Sequence, residues 1–229
     1  MTHNRVIEKE WNMQALIIAN GAQPSKDRLC ILAAQAGFIV CADGGANAAR
    51  RAGVLPDEIV GDFDSVRPAV LAYYSKRGVG IRHESGQDDT DMEKALRLVL
   101  QRGARSVTIT GATGNMLDHS IGNLSILSRY ARHFEISLVD SHFLIDIITR
   151  PRRFTSTPGQ RVSIVPLYEA LGVRFRGLLY PLPGGRLAFG ENEGTCNEAT
   201  GVVFSVSCTS GVLMVMRAQR TDPVGHRLG

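Results

Sequence analysis

Two clusters of carboxylates dominate the chemistry this chain can do. Gly61-Asp62-Phe63-Asp64-Ser65 and Gln87-Asp88-Asp89-Thr90-Asp91 both sit in turn-forming company, parted by a stretch that reads as a helix and a strand. Carboxylates gathered within a few ångströms raise one another's pKa and repel, so such clusters call for a cation among them. Magnesium takes oxygen ligands, keeps several waters, and is held by one or two protein carboxylates together with substrate phosphates. The pattern therefore points to a metal-bridged nucleotide. A further acid opens Asp43-Gly44-Gly45-Ala46-Asn47, where glycines let the backbone approach a ligand and the next helix turns its amino end to the same place. The competing explanation is that aspartates before Ser, Gly or Thr simply build turns and caps. Thr90 with Glu93 matches a capping box, and Asp91 falls in a first helical turn, where the dipole favours an anion.

These residues are useful only if the elements bring them together. Ala15 to Asn20, Phe38 to Ala42, Glu58 to Gly61, Gly80 to His83, Ser106 to Thr110 and Glu135 to Asp140 are short apolar or alternating runs expected to be strands. Between them Lys26 to Ala36, Ala46 to Ala52, Pro68 to Arg77, a segment opened by Thr90, and one begun by Asp118-His119 and ended near Arg129 to His133 read as helices. In the helix after Thr90, Met92, Ala95, Leu96, Val99 and Leu100 share one face. Strand, loop and helix in alternation predict a parallel sheet with helices on both faces, whose ligands bind outside the strand carboxyl ends. Every acidic and glycine-rich motif, Gly111-Ala112-Thr113-Gly114 included, falls at such an end. That coincidence predicts a single site.

Beyond about Ser141 the pattern changes. Phe143 to Thr149, Gln160 to Pro166, Val173 to Arg176, Arg186 to Phe189, Val202 to Ser207 and Val212 to Met216 are strand-like runs parted by Pro, Gly and Asn. Leu171 to Tyr180 reads as a hairpin region, Tyr180 to Gly185 as a rigid turn, and Arg217 to Gly229 as a frayed end. The expected organisation is an α/β nucleotide-binding domain over 1–140 and an all-β sandwich domain over 141–229. Cys30, Cys41, Cys196 and Cys208 form no Cys-x-x-Cys pair, which argues against structural zinc and a disulfide framework. A net charge of +4 could favour nucleic acid, but the basic residues are scattered along the chain without interleaved aromatics, so no nucleic-acid partner is expected. The polar, acid-containing start and the lack of a long apolar run predict a cytoplasmic protein with no membrane association.

Taken in order, Ala42-Asp43-Gly44-Gly45-Ala46-Asn47, the two aspartate clusters, Glu93-Lys94-Ala95-Leu96, Gly111-Ala112-Thr113-Gly114, Leu117-Asp118-His119, Asn123, Gly177 to Leu182 and Thr195-Cys196-Asn197-Glu198 resemble the thiamine pyrophosphokinase family. The resemblance implies a homodimeric enzyme that moves the diphosphate of ATP onto the hydroxyl of thiamine and releases AMP, with its active site between the nucleotide domain of one subunit and the β domain of the other. It implies Asp62, Asp64 and Asp91 as Mg²⁺ ligands, with Asp43 and Gln87 nearby, and makes Asp43, Asp62, Asp64 and Asp91 the catalytic candidates. It places Gly44, Asn47, Gln87, Asp88, Thr90, Lys94, Gly111, Thr113, Asp118, His119 and Asn123 around ATP, and Cys196 and Asn197 against thiamine. Asn115-Met116 depart from the family's Gly-Arg, so another cation, such as Lys94 or Arg50, is expected to replace the lost guanidinium clamp. Cys196 stands where the family tends to have Ser, and a thiol is the poorer hydrogen-bonding group. The residues themselves leave the general base open among Asp43, Asp62, Asp64 and Asp91. They also leave open another metal-dependent nucleotide transferase, or a catalytically weak thiamine- or nucleotide-binding homologue.

Overall fold

The computed structural model describes residues 13–86 and 89–219, so the expectations for Gln87, Asp88 and the chain ends beyond these limits lie outside the described residues. Fourteen strands are described: β1 Gln14–Ile18, β2 Phe38–Ala42, β3 Glu58–Gly61, β4 Gly80–His83, β5 Ser106–Thr110, β6 Glu135–Val139, β7 Phe143–Ile148, β8 Arg152–Thr155, β9 Arg161–Leu171, β10 Arg174–Arg176, β11 Leu187–Ala188, β12 Gly194–Glu198, β13 Val203–Ser207 and β14 Ser210–Ala218. The described helices are α1 Lys26–Gln35, α2 Gly45–Ala52, α3 Pro68–Ser75, α4 Asp91–Gln101 and α5 Leu117–Tyr130.

Six strands pair in parallel in the order β6-β5-β1-β2-β3-β4. Alternate residues of the central strands feed two cores. Ala15 and Ile17 pack with Leu96 and Val99 of α4 and Leu127 of α5, whereas Leu16 and Ile18 pack with Leu29 of α1, Ala49 of α2 and Tyr74 of α3. Helices therefore cover both faces, and near-continuous apolar strands such as β1 are buried on both sides.

At the Asp140 to His142 turn β7 folds back antiparallel on β6, and β14, β9 and β11 extend the same sheet, with β12 also on β9. The expected division at residue 140 thus falls where the pairing changes from parallel to antiparallel, while the sheet itself runs through. A three-stranded sheet, β10-β13-β8, shares a core with the antiparallel half through Phe154, Phe175, Phe204 and Val206 against Val162, Ile164, Leu213 and Val215. This is the β-sandwich.

Several local expectations change. Leu171 to Tyr180 is mainly a crossover: the chain leaves the large sheet at Gly172, and β10 pairs with β13, while the local antiparallel contact is made with residues beyond Tyr180, through Val173 N–H to the Gly185 carbonyl and Phe175 N–H to the Leu182 carbonyl. Strands β8 and β12 escaped the sequence reading because Arg152-Arg153 and Thr195-Cys196-Asn197 lack an apolar alternation. Strand β14 continues through Ala218, beyond the point where fraying was expected, since Gln219 Nε2 donates to the Asp140 carbonyl at 2.6 Å and ties it down.

Candidate active site

The carboxyl ends of β1, β2 and β3 and the amino ends of α4 and α5 surround one cavity of about 500 Å³, a size that suits a nucleotide. Asp43 follows β2 and is buried, with a left-handed backbone (φ 42°). Asp62 and Asp64 follow β3 on either side of Phe63, which is itself left-handed (φ 66°). One ligand oxygen from each of Asp43, Asp62 and Asp64 lies within 4.8 Å of the others. Gly61 makes this convergence possible: at φ 152° a Cβ there would come 2.9 Å from Asp43 Cβ and 3.1 Å from Asp91 Oδ1. The loop is pinned from α2, where Asn47 Nδ2 donates to the Ser65 carbonyl at 2.8 Å and Asn47 Oδ1 accepts from the Arg67 N–H at 3.1 Å. Within it, the Asp64 N–H donates to Asp62 Oδ1 and the Ser65 hydroxyl to Asp64 Oδ1.

The second acidic cluster is arranged differently from the sequence expectation. Asp91 lines the cavity but stands outside the close trio; its Oδ1 accepts from Lys94 Nζ at 2.9 Å, one helical turn on, and Asp43 takes its place. The i to i+3 spacing puts the two side chains on neighbouring positions of one face of α4, which makes that ion pair local. Asp89 is likewise paired with Arg97, whose other arm holds Glu84 at 2.7 Å. Thr90 Oγ1 accepts from the Glu93 N–H at 3.2 Å as an N-cap, but Glu93 sends its carboxylate to Arg129 and Tyr130 of α5, so the reciprocal arm of the capping box is not made.

Among the expected nucleotide residues, Thr90, Lys94, Asp118, His119 and Asn123 line the cavity. Gly44, Asn47, Gly111 and Thr113 instead shape its surroundings. Gly44 gives room to the Asn20 side chain, which a Cβ would meet at 2.3 Å, and the Gly111 and Thr113 carbonyls accept from the Gly21 and Ala22 N–H groups. Arg50 lies over the Tyr73 ring, 3.8 Å from its centroid, and does not line the cavity, so of the two expected replacement cations only Lys94 is there. Cys196 and Asn197 do not line it either. Cys196 Sγ accepts from Arg161 at 2.9 Å, and buried Asn197 clamps the Tyr180 backbone, accepting from its N–H at 3.0 Å and donating to its carbonyl at 2.7 Å. Asn20, which lines the cavity, was missed as a site residue because a lone Asn after a strand carries no spacing that marks it.

Burial pushes the Asp43 carboxyl above its ordinary pKa, with Asp91 and Asp64 adding repulsion and the Gly44 N–H and Ser65 hydroxyl opposing. Its Oδ1 is buried and without a hydrogen-bond partner. A buried carboxylate oxygen left unpartnered is costly, and a hard cation would satisfy it while relieving the repulsion among the trio. The donor set, all oxygen from three carboxylates that line a large cavity, therefore fits a hard divalent cation.

Two family models together match most of the chain: the catalytic domain of thiamin pyrophosphokinase over residues 29–139 and its vitamin B1 binding domain over 147–213. Thiamine pyrophosphokinase 1 of Oryza sativa subsp. japonica is 35% identical over 186 residues, covering 69% of this chain and 70% of the relative. Thiamine pyrophosphokinase 1 of Arabidopsis thaliana is 28% identical over 235 residues, covering 90% of this chain and 87% of the relative. The crystal structure of thiamin pyrophosphokinase from Candida albicans superposes with a TM-score of 0.82 over 92% of this chain and 90% of that one; at 18% identity this speaks for the fold. Sequence and architecture agree across both halves, and the chain belongs to the thiamine pyrophosphokinase family of enzymes.

Proposed function

We propose that this protein transfers the diphosphate of ATP to the hydroxyl of thiamine, with Mg²⁺ held by Asp43, Asp62 and Asp64. The observation that carries the reading is the convergence of those three carboxylates, one bearing a buried unpartnered oxygen, at the mouth of a nucleotide-sized cavity. In the reaction the thiamine oxygen bonds to the β-phosphorus, the bridge to the α-phosphate breaks, AMP leaves with the bridging oxygen, and the hydroxyl proton passes to a carboxylate of the site. Such transfers are catalysed chiefly by positioning and by offsetting charge on the phosphoryl oxygens. Bound magnesium would supply that offset. Lys94, buried against Asp91, adds a fixed positive charge facing the cavity, and the amino end of α5 brings Asp118 and His119 to the same cavity, where the helix dipole favours an anion.

The reading extends to a homodimer with residues 141–229 as the thiamine-binding part. Cys196 and Asn197 do not line the cavity, and Tyr168, Tyr180 and Phe189 of the β-rich half expose 70%, 66% and 71% of their surface. Exposed aromatics of this size are suited to burial against a second copy. The test is the product mixture from ATP, Mg²⁺ and thiamine. AMP and thiamine diphosphate are expected, ADP would contradict the transfer, and Asp62→Asn or Asp64→Asn should lower turnover by about 100-fold or more with the melting transition retained. Wild-type turnover in those variants would remove them from the metal site.

A further inference from the structure

The arginines that are scattered along the sequence gather on one face. At the end of the sheet opposite the acidic cavity, where β5 and β6 begin and β7 ends, lies a cavity of about 740 Å³. A second, of about 470 Å³, adjoins it over the three-stranded sheet. Arg132, Arg150, Arg152 and Arg153 line the first; Arg152 and Arg153 are shared with the second, to which Arg174 and Arg176 belong. Among the described residues lining either, Glu135 is the one acid, and it is paired with Arg150. Arg152 is partly neutralised by buried Asp146 at 3.3 Å. Arg132, Arg153, Arg174 and Arg176 have no carboxylate partner among the described residues and are exposed.

The small sheet gives these guanidinium groups a regular placement. Phe175, Phe204, Val206 and Phe154 point into the core, so the alternate residues Arg174, Arg176, Ser205, Ser207 and Arg153 share the outer face. Arg176 pairs across with Ser205 and Ser205 with Arg153, which makes one row of two guanidinium groups around a hydroxyl; Arg174 pairs with Ser207 in the next row. Arg153, Arg174 and Arg176 share this face without a carboxylate partner among the described residues, so an anion lying among them would offset their mutual repulsion. The fork of an arginine matches phosphate oxygens, and a serine hydroxyl between two forks adds a donor.

We propose that this two-lobed arginine face is a second anion site, which takes the phosphate chain of a small oligophosphate. A bounded concavity extended over two lobes fits a short chain better than a single phosphate. Among the described lining residues the one exposed aromatic ring is that of His133, too little for the successive bases of a single strand to stack on, which disfavours RNA. Strand β5 runs from Ser106 at this face to Thr110 at the end nearer the acidic cavity, roughly 13 Å away, so a ligand here is separate from one there. The inference does not depend on the reaction proposed above.

The test is calorimetric titration of the full chain with inorganic tripolyphosphate, without divalent cations and at low salt. Binding by the wild type is expected. The double variant Arg153→Glu/Arg176→Glu should lose about tenfold or more in affinity with its melting temperature retained, Arg132→Ala should lose less, and Asp62→Asn/Asp64→Asn should bind as the wild type does. Competition with ATP and with thiamine diphosphate separates the sources of such a chain, and the site stands whichever displaces the probe. No binding, binding indifferent to the arginine variants, or binding abolished by the aspartate variant would each overturn the proposal. A single-stranded RNA that displaced tripolyphosphate and bound more tightly would replace it with a nucleic-acid surface.

Discussion

Asp43 sets the cost of folding against the proposed metal binding at a single residue. It is buried, left-handed and crowded by other acids, and its pKa is raised mainly by desolvation. A carboxyl whose folded pKa lies above its unfolded value holds its proton longer in the folded state, so it costs nothing below the unfolded value and destabilises as pH rises through the folded one. Asp43→Asn should therefore raise the melting temperature of the metal-free protein at neutral pH. The gain should fade below about pH 4, and the variant should lose both activity and the stabilisation by Mg²⁺ expected of the wild type. A melting temperature unchanged at neutral pH would show that the buried charge is satisfied in another way. That Asp43 and the Asp62-Phe63-Asp64 turn belong to one site was legible from residue type and position at strand ends. That Asp91 gives way to Asp43 in the close trio was not, because the Lys94 partner reads equally well as an ordinary solvent-facing helix charge.

At the scale of elements, the acidic loop after β3 is positioned by Asn47, which does not line the cavity, and the amino end of α4 by Thr90, which does. Asn47 makes two hydrogen bonds to the loop from α2, each worth about 1 kcal/mol. Asn47→Ala should weaken activation by Mg²⁺ several-fold more than it lowers stability, read as a raised half-saturating Mg²⁺ concentration. Thr90→Ala removes the α4 cap and should cost about 1 kcal/mol in denaturant titration, with a smaller effect on the metal dependence. If both variants change stability and metal dependence in the same proportion, the loop tether has no separate role. The helix itself was legible from its apolar stripe, though Leu98 is buried and Leu100 lies 37% exposed. Glu93 was misread as a capping arm because a sequence shows the local partner three residues away and hides Arg129 on a neighbouring helix.

Across the whole molecule, one sheet carries the parallel half into the antiparallel half, so the two family domains are joined by strand pairing between β6 and β7 as well as by the chain. With the proposed site completed by a second copy, Tyr168→Glu/Phe189→Glu should shift sedimentation toward monomer and abolish turnover together. An active monomer at assay concentration would refute the shared site. Mixing inactive Asp64→Asn chains with inactive Cys196→Trp chains should restore part of the activity through mixed dimers.

What the sequence determined by itself is the order of elements, the parallel sheet with helices on both faces, the β-rich second half and the candidate set at strand carboxyl ends. Periodicity, turn residues and cap residues are local properties that act within a few positions of the chain. Only the tertiary structure decided which carboxylates converge and which are taken by Lys94 and Arg97. It also decided that Asn197 holds the Tyr180 turn, and that arginines far apart in sequence face one cavity. Those outcomes depend on distances between elements, where a nearby cation or a shared sheet face decides how each charged group is compensated, and no local spacing encodes them.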